Sequence, residues 1–246
     1  MLDLWSRART IRGMKRFLRI LVAALVAQGS TAHAADTEST KLDTVAQRAL
    51  PCLPCHGKEG RAGPDGYYPR IAGKPAEYLF NQLVNFRDGR RFFPMMNYLA
   101  ERQQDAYLRE LAEYFASQQL PFDSVSASEI PAATLARGLE LVKEGDRSAD
   151  VPACSACHGT KLLGALPSVP GLLGVSRSYL DAQLAAWKNG LRHAKPPDCM
   201  ATIAKRMAPA DIEAVTGWLA TRIVPDGAVP QPEVPAPQPI QCGSIP

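Results

Sequence analysis

The sequence repeats itself, and the repeat limits what the chain can fold into. Cys52-Leu53-Pro54-Cys55-His56 returns 102 residues later as Cys154-Ser155-Ala156-Cys157-His158. Tyr78, Leu79, Gln82, Leu83, Gly89 and Arg91 return as Tyr179, Leu180, Gln183, Leu184, Gly190 and Arg192, at an offset of 101. Tyr114 and Ala116 answer to Trp218 and Ala220 at an offset of 104. A register that drifts so little is that of a tandem duplication with small loop insertions, so one supersecondary unit is built twice.

Within each copy, apolar residues come back at helical spacing, as at Leu79, Leu83, Val84 and Phe86, and almost nothing alternates as a strand would. The periodicity predicts helices over 41–49, 76–88 and 104–117, then over 132–144, 178–189 and 210–222. A methionine-bearing loop separates the last two of each set. The fold class is mainly α. The units are expected at 35–122 and 131–225, joined by a linker at 123–130 that is rich in Ser and closes before Pro131. From 226 to 246 six prolines, at 230, 232, 235, 237, 239 and 246, make a tail expected to be extended rather than packed.

The front of the chain reads as an export signal over 1–34. Met14 opens a basic stretch, Lys15, Arg16 and Arg19, followed by the apolar run from Ile20 to Ala27, and Ala32-His33-Ala34 has the small-x-small cleavage pattern. The run is too short to cross a bilayer, although an uncleaved leader would give peripheral membrane association. The expected location is the periplasm. Residues 35–246 hold 22 Lys and Arg against 23 Asp and Glu, a net charge of −1. The basicity therefore belongs to the leader, and nucleic-acid binding has no electrostatic support.

Four of the six cysteines lie in Cys-x-x-Cys-His, the pattern of covalent haem attachment. Cys52, Cys55, Cys154 and Cys157 are placed to form thioethers with haem vinyl groups, and His56 and His158 to ligate the irons. Two covalently bound haem c groups are therefore expected. Counting narrows the sixth ligands. Residues 35–246 contain three histidines, at 56, 158 and 193, and bis-histidine ligation of two irons needs four. Methionines stand at 95, 96, 200 and 207. Met96 follows His56 by 40 residues and Met200 follows His158 by 42, which makes them the symmetric pair. Met95 stays a rival to Met96. Met207 reads as a core residue and His193, beside Arg192 and Lys195, as a solvated one. Met/His coordination leaves a six-coordinate iron suited to electron transfer, with a potential above that of two nitrogens.

These residues resemble the dihaem cytochrome c4 family, and each half more loosely resembles class I cytochromes c. The resemblance covers nearly all of 40–224. It rests on the two haem motifs, on Tyr68-Pro69-Arg70-Ile71-Ala72-Gly73, on Phe86-Arg87-Asp88-Gly89-Arg90-Arg91, on Pro94-Met95-Met96 and on Val169-Pro170-Gly171-Leu172-Leu173-Gly174. It implies two tandem cytochrome c-like helical domains, each wrapped around one haem, packed face to face with propionates near the interface. It also implies that Pro69 and Pro170 offer backbone carbonyls to the proximal imidazoles. The implied role is a periplasmic electron shuttle. Its donor would be a quinol-oxidising complex or a dehydrogenase, and its acceptor a terminal oxidase.

The family pattern lacks the Pro-rich tail and the thiols of Cys199 and Cys242. In an oxidising compartment these two would pair. Alternatively Cys199 itself would ligate the second iron, which would suggest sulfur chemistry. An enzyme is the less favoured class, because Lys58, Glu59 and other titratable residues near the motifs form no acid–base set. Two alternatives stay open: an electron-transfer subunit of a periplasmic dehydrogenase, and a dihaem enzyme such as a thiosulfate dehydrogenase.

Overall fold

The computed structural model describes residues 43–63, 65–122 and 129–245. The leader and most of the expected linker, 123–128, lie outside the described residues. In the first half, α1 (Val45–Arg48) starts with a capping box in which Thr44 and Gln47 satisfy each other's backbone N–H groups. A continuous helix over 41–49 was expected. The helix is shorter, because Asp43 stands at φ 84° and Pro51 cannot supply the N–H that would extend it. A 3-10 turn (Leu50–Cys52) and α2 (Leu53–His56) follow. Next come α3 (Ala76–Arg87), α4 (Pro94–Ala100) and α5 (Asp105–Ala116).

The second half holds α6 (Ala132–Lys143), α7 (Ser155–His158), α8 (Arg177–Lys188), α9 (Cys199–Arg206) and α10 (Pro209–Ala220). A small antiparallel hairpin of β1 (Gly164–Ala165) and β2 (Val169–Pro170) sits between α7 and α8, with Gly164 opposite Pro170. The methionine-bearing segments, read as loops, are the helices α4 and α9. Pro94 fills the first position of α4, where no N–H is needed. Asp198 caps α9 by accepting the Ala201 N–H at 3.0 Å.

Each half has its own core. In the first, Leu79 and Phe80 of α3 pack with Leu108, Leu111, Ala112 and Phe115 of α5. In the second, Leu141 and Val142 of α6 pack with Ile212, Val215, Trp218 and Leu219 of α10, joined by Leu180 and Met207. Each Leu, Ile, Val, Phe or Met side chain buried in this way contributes roughly 1.5–3 kcal/mol. The crossing of α6 and α10 depends on Gly138, where an added Cβ would lie 2.2 Å from the Ala214 carbonyl oxygen.

The halves meet along a seam of repeated residues. Arg91 and Arg192 pair as an antiparallel bridge, and the His193 N–H donates to the Arg90 carbonyl at 2.6 Å. Both guanidinium groups donate to both glutamine side chains: Arg91 to Gln82 (3.0 Å) and Gln183 (2.8 Å), Arg192 to Gln183 (2.7 Å) and Gln82 (2.8 Å). The Ser176 hydroxyl adds a bond to the Gly66 carbonyl at 2.5 Å.

The tail is extended but is not loose, which corrects the expectation that it would not pack. The Gln231 N–H donates to the Gly164 carbonyl at 3.0 Å, and its own carbonyl accepts the Leu166 N–H at 2.9 Å. Cys242 forms a disulfide with Cys199.

Candidate haem sites

The two short helices α2 and α7 arrange their motifs in the same way. The first cysteine of each motif caps the helix and the second lies three positions on, so both thiols share one face. The histidine closes the helix and is buried, His56 to 8% exposure and His158 to 9%. Gly57 (φ 75°) and Gly159 (φ 86°) then turn the chain through a conformation that side chains resist.

Nδ1 of His56 lies 2.8 Å from the Pro69 carbonyl oxygen, and Nδ1 of His158 lies 2.8 Å from that of Pro170. A carbonyl only accepts, so each Nδ1 carries the proton and each Nε2 keeps its lone pair. Among the described residues no hydrogen bond reaches either Nε2. Burial holds both imidazoles below their ordinary value, against the opposing pull of the proline carbonyls. A neutral, oriented imidazole with a free Nε2 is a metal ligand in waiting. Burial also pushes the Cys52 thiol up to about 11 and the Cys154 thiol up to about 12.

The methionines fall into two groups. Met96 on α4 and Met200 on α9 are half-buried, whereas Met95 is 53% exposed and Met207 lies in the second core. Asn97 steadies the start of α4 by donating to the Phe86 and Arg91 carbonyls and accepting the Phe93 N–H. His193 is exposed and its Nε2 is bonded to the Gly190 carbonyl. Cys199 is taken up in its disulfide, so the sulfur-ligand reading has no thiolate to work with.

The seam between the halves supplies what an anionic macrocycle needs. Arg91 is 8% exposed and Arg192 3%, and among the described residues neither forms an ion pair. Burial and the neighbouring Arg91 hold the Arg192 guanidinium below its ordinary value. Burial pushes the Lys74 ammonium down to about 8. The Trp187 Nε1–H, on the ring over which Arg192 stacks at 3.7 Å, is buried and finds no hydrogen-bond partner among the described residues. Buried cations and donors of this kind call for an anion. A haem with two propionates fits them, as it fits the two free Nε2 atoms. The repeat had singled out Gln82, Arg91, Gln183 and Arg192, yet spacing alone gave them no role. Trp187 and Asn97 carried no sequence signal.

No family model matches the chain. It is similar to a thiosulfate dehydrogenase electron acceptor from Thiomonas intermedia, 38% identical over 71% of this chain and 79% of the relative. It is also similar to cytochrome c4 of Pseudomonas aeruginosa, 30% identical over 82% of this chain and 97% of the relative. Among solved structures, reduced cytochrome c4 from Pseudomonas stutzeri superposes with a TM-score of 0.61 at 26% identity, covering 72% of this chain and 95% of the other. A thiosulfate dehydrogenase from Marichromatium purpuratum superposes at 0.62 with 34% identity, over 70% of this chain, and this chain spans only 36% of that longer one.

Proposed function

The chain belongs to the dihaem cytochrome c4 family, and from that premise we propose that it carries electrons in the periplasm from a thiosulfate-oxidising dehydrogenase towards a terminal oxidase. It is a dihaem electron-transfer cytochrome with two covalent haem c groups, and its partners are redox proteins. The choice of donor is supported by the electron acceptor from Thiomonas intermedia, whose name describes that role.

In this reading Cys52 and Cys55 hold the first haem and Cys154 and Cys157 the second. His56 and His158 present Nε2 to the irons, and Pro69 and Pro170 fix the rings by accepting the Nδ1 protons. Met96 and Met200 supply the sixth ligands. Their half-buried side chains favour Met96 over the exposed Met95. Arg91, Arg192 and the Trp187 N–H would hold the haem propionates. When bound, each haem takes up and releases one electron at its iron, and Met/His ligation sets the potential above that of bis-nitrogen ligation.

The observation that carries the proposal is the buried imidazole with a donated Nδ1 proton and a free Nε2, built twice by the same device. Optical spectra of the oxidised and reduced protein, the latter repeated with carbon monoxide, test it. Both ferric irons should show the deep-red methionine charge-transfer band, and neither ferrous iron should take the gas. An iron that lacks the band or binds the gas would overturn the carrier reading. Stopped-flow mixing with thiosulfate and a thiosulfate dehydrogenase should reduce both haems. Reduction by thiosulfate alone would make the protein itself the enzyme.

A further inference from the structure

Resting on the reading of the second half as a haem site, we propose that the tail is a strap that closes the rim of that site against solvent and redox partners. Its first anchor is Gln231. Besides its two backbone bonds to the β1 region, its side-chain oxygen accepts the Thr160 N–H at 3.3 Å and lies 2.8 Å from where a Cβ on Gly159 would stand. That anchor sits directly beside His158. The second anchor is the Cys199–Cys242 disulfide, backed by the Gly243 N–H donating to the Pro197 carbonyl at 2.9 Å. An added Cβ at Gly243 would meet the Pro196 oxygen at 2.1 Å, so the tail is seated tightly here. This second anchor adjoins Met200.

His158 and Met200 are the residues that would ligate the second iron, and the tail is tied down next to both of them, at Gly159–Thr160 and at Cys199. Along the way Val234, Pro235, Gln238 and Ile240 are half-buried, so the segment lies against the body of the protein. Prolines at 232, 235, 237 and 239 limit the freedom it would lose on docking. Among the described residues the first half has no equivalent. The chain leaving α5 is held by Arg70, which donates to the Leu120 and Pro121 carbonyls, and it then leads towards the second half.

Solvent access is one of the settings of a haem potential, so a strapped site should hold a higher potential than the same site opened. The test uses the holoprotein and three variants. The Cys199→Ser/Cys242→Ser pair cuts the second anchor without leaving a lone thiol beside Met200, Gln231→Ala weakens the first, and a chain ending at 229 with Cys199→Ser removes the strap. The two potentials are measured by spectroelectrochemistry. Reduction by an iron(II) chelate is followed in a stopped flow, each ferrous chelate giving one electron to one ferric haem and becoming ferric. Amide exchange at Leu166 and Thr160 reports whether the tail has let go.

The expected result is faster exchange at both amides, a downward shift of one potential with the other unchanged, and a several-fold faster reduction of that haem alone. Faster exchange with unchanged potentials and rates would overturn the strap and leave the tail a staple. Potentials that fall together would overturn it as well, since loosening would then be general. If the shortened chain fails to fold, Gln231→Ala and the intact chain with its disulfide reduced give the same readings. No partner enzyme is involved, so failure of electron uptake from a dehydrogenase would overturn the carrier proposal alone.

Discussion

The two halves share one plan of helices, haem motif and seam, and differ in their opening helices and in the tail that only the second carries. Both tie a buried histidine to a proline carbonyl at 2.8 Å, and both send an arginine into the seam to share the same two glutamines. By contrast, the first half opens with a helix of four residues and the second with one of twelve, packed closely on α10 through Gly138. The second half alone carries the tail. Features that survive in both copies are those that the site and the seam require. Features in one copy reflect how that copy is stabilised and shielded.

The largest effects should come from breaking the agreement itself. Met96→Leu and Met200→Leu should each abolish the methionine charge-transfer band of one iron, while Met95→Leu should leave both bands intact. Loss of a band in Met95→Leu would show that the halves differ even at the axial ligand.

A substitution confined to the difference should act on one half. Gly138→Ala forces a Cβ onto the Ala214 backbone oxygen, which no side-chain rotation relieves. Overpacking of this kind costs about 1–3 kcal/mol. Thermal unfolding of the holoprotein should show this loss, with faster amide exchange in α6 and α10 and unchanged exchange in α3 and α5. Equal loss of protection in both halves would mean that the cores do not respond separately.

The seam joins the two patterns, and it should behave as one network. Arg91 and Arg192 share Gln82 and Gln183, so a double-mutant cycle with Arg91→Ala and Arg192→Ala should give a coupling of about 0.5–3 kcal/mol in unfolding free energy. Strict additivity would split the seam into independent contacts.

Much of this was legible in the sequence. The long helices α3, α5 and α6 begin and end within a residue or two of their expected bounds, because three turns give the periodicity room to show. Helices α4 and α9 have seven and eight residues, and a proline at or just before each start makes the segment read as a loop. The proline carbonyls at 69 and 170 were implied by resemblance, since a backbone acceptor leaves no mark on side-chain chemistry. The seam was visible only as repeated letters. Of the two anchors of the tail, the Cys199–Cys242 pair was legible as the two spare thiols, whereas Gln231 was not, because it is held by backbone bonds to a hairpin some 65 residues away in the chain, which no local pattern encodes.

The smallest effect should be a graded one in acid, and it compares the halves once more. Asp146 is held well below the usual carboxylate range by the Ser148 hydroxyl, then by Arg137 and the Ala149 N–H. Asp43 is lowered chiefly by its bond to Arg48. A carboxyl whose folded value is depressed adds stability that is fully present above its unfolded value of about 4 and is lost as the pH falls towards the folded one. Stability should therefore decline below about pH 4, and Asp146→Asn should lower it at neutral pH while flattening that decline. Asp43→Asn should do the same more weakly, because the Asp43 side chain is 68% exposed and that of Asp146 18%. Chemical unfolding at a series of pH values checks both. A decline flattened more by Asp43→Asn than by Asp146→Asn would put the more important ion pair in the half with the shorter opening helix and reverse this order of stabilisation.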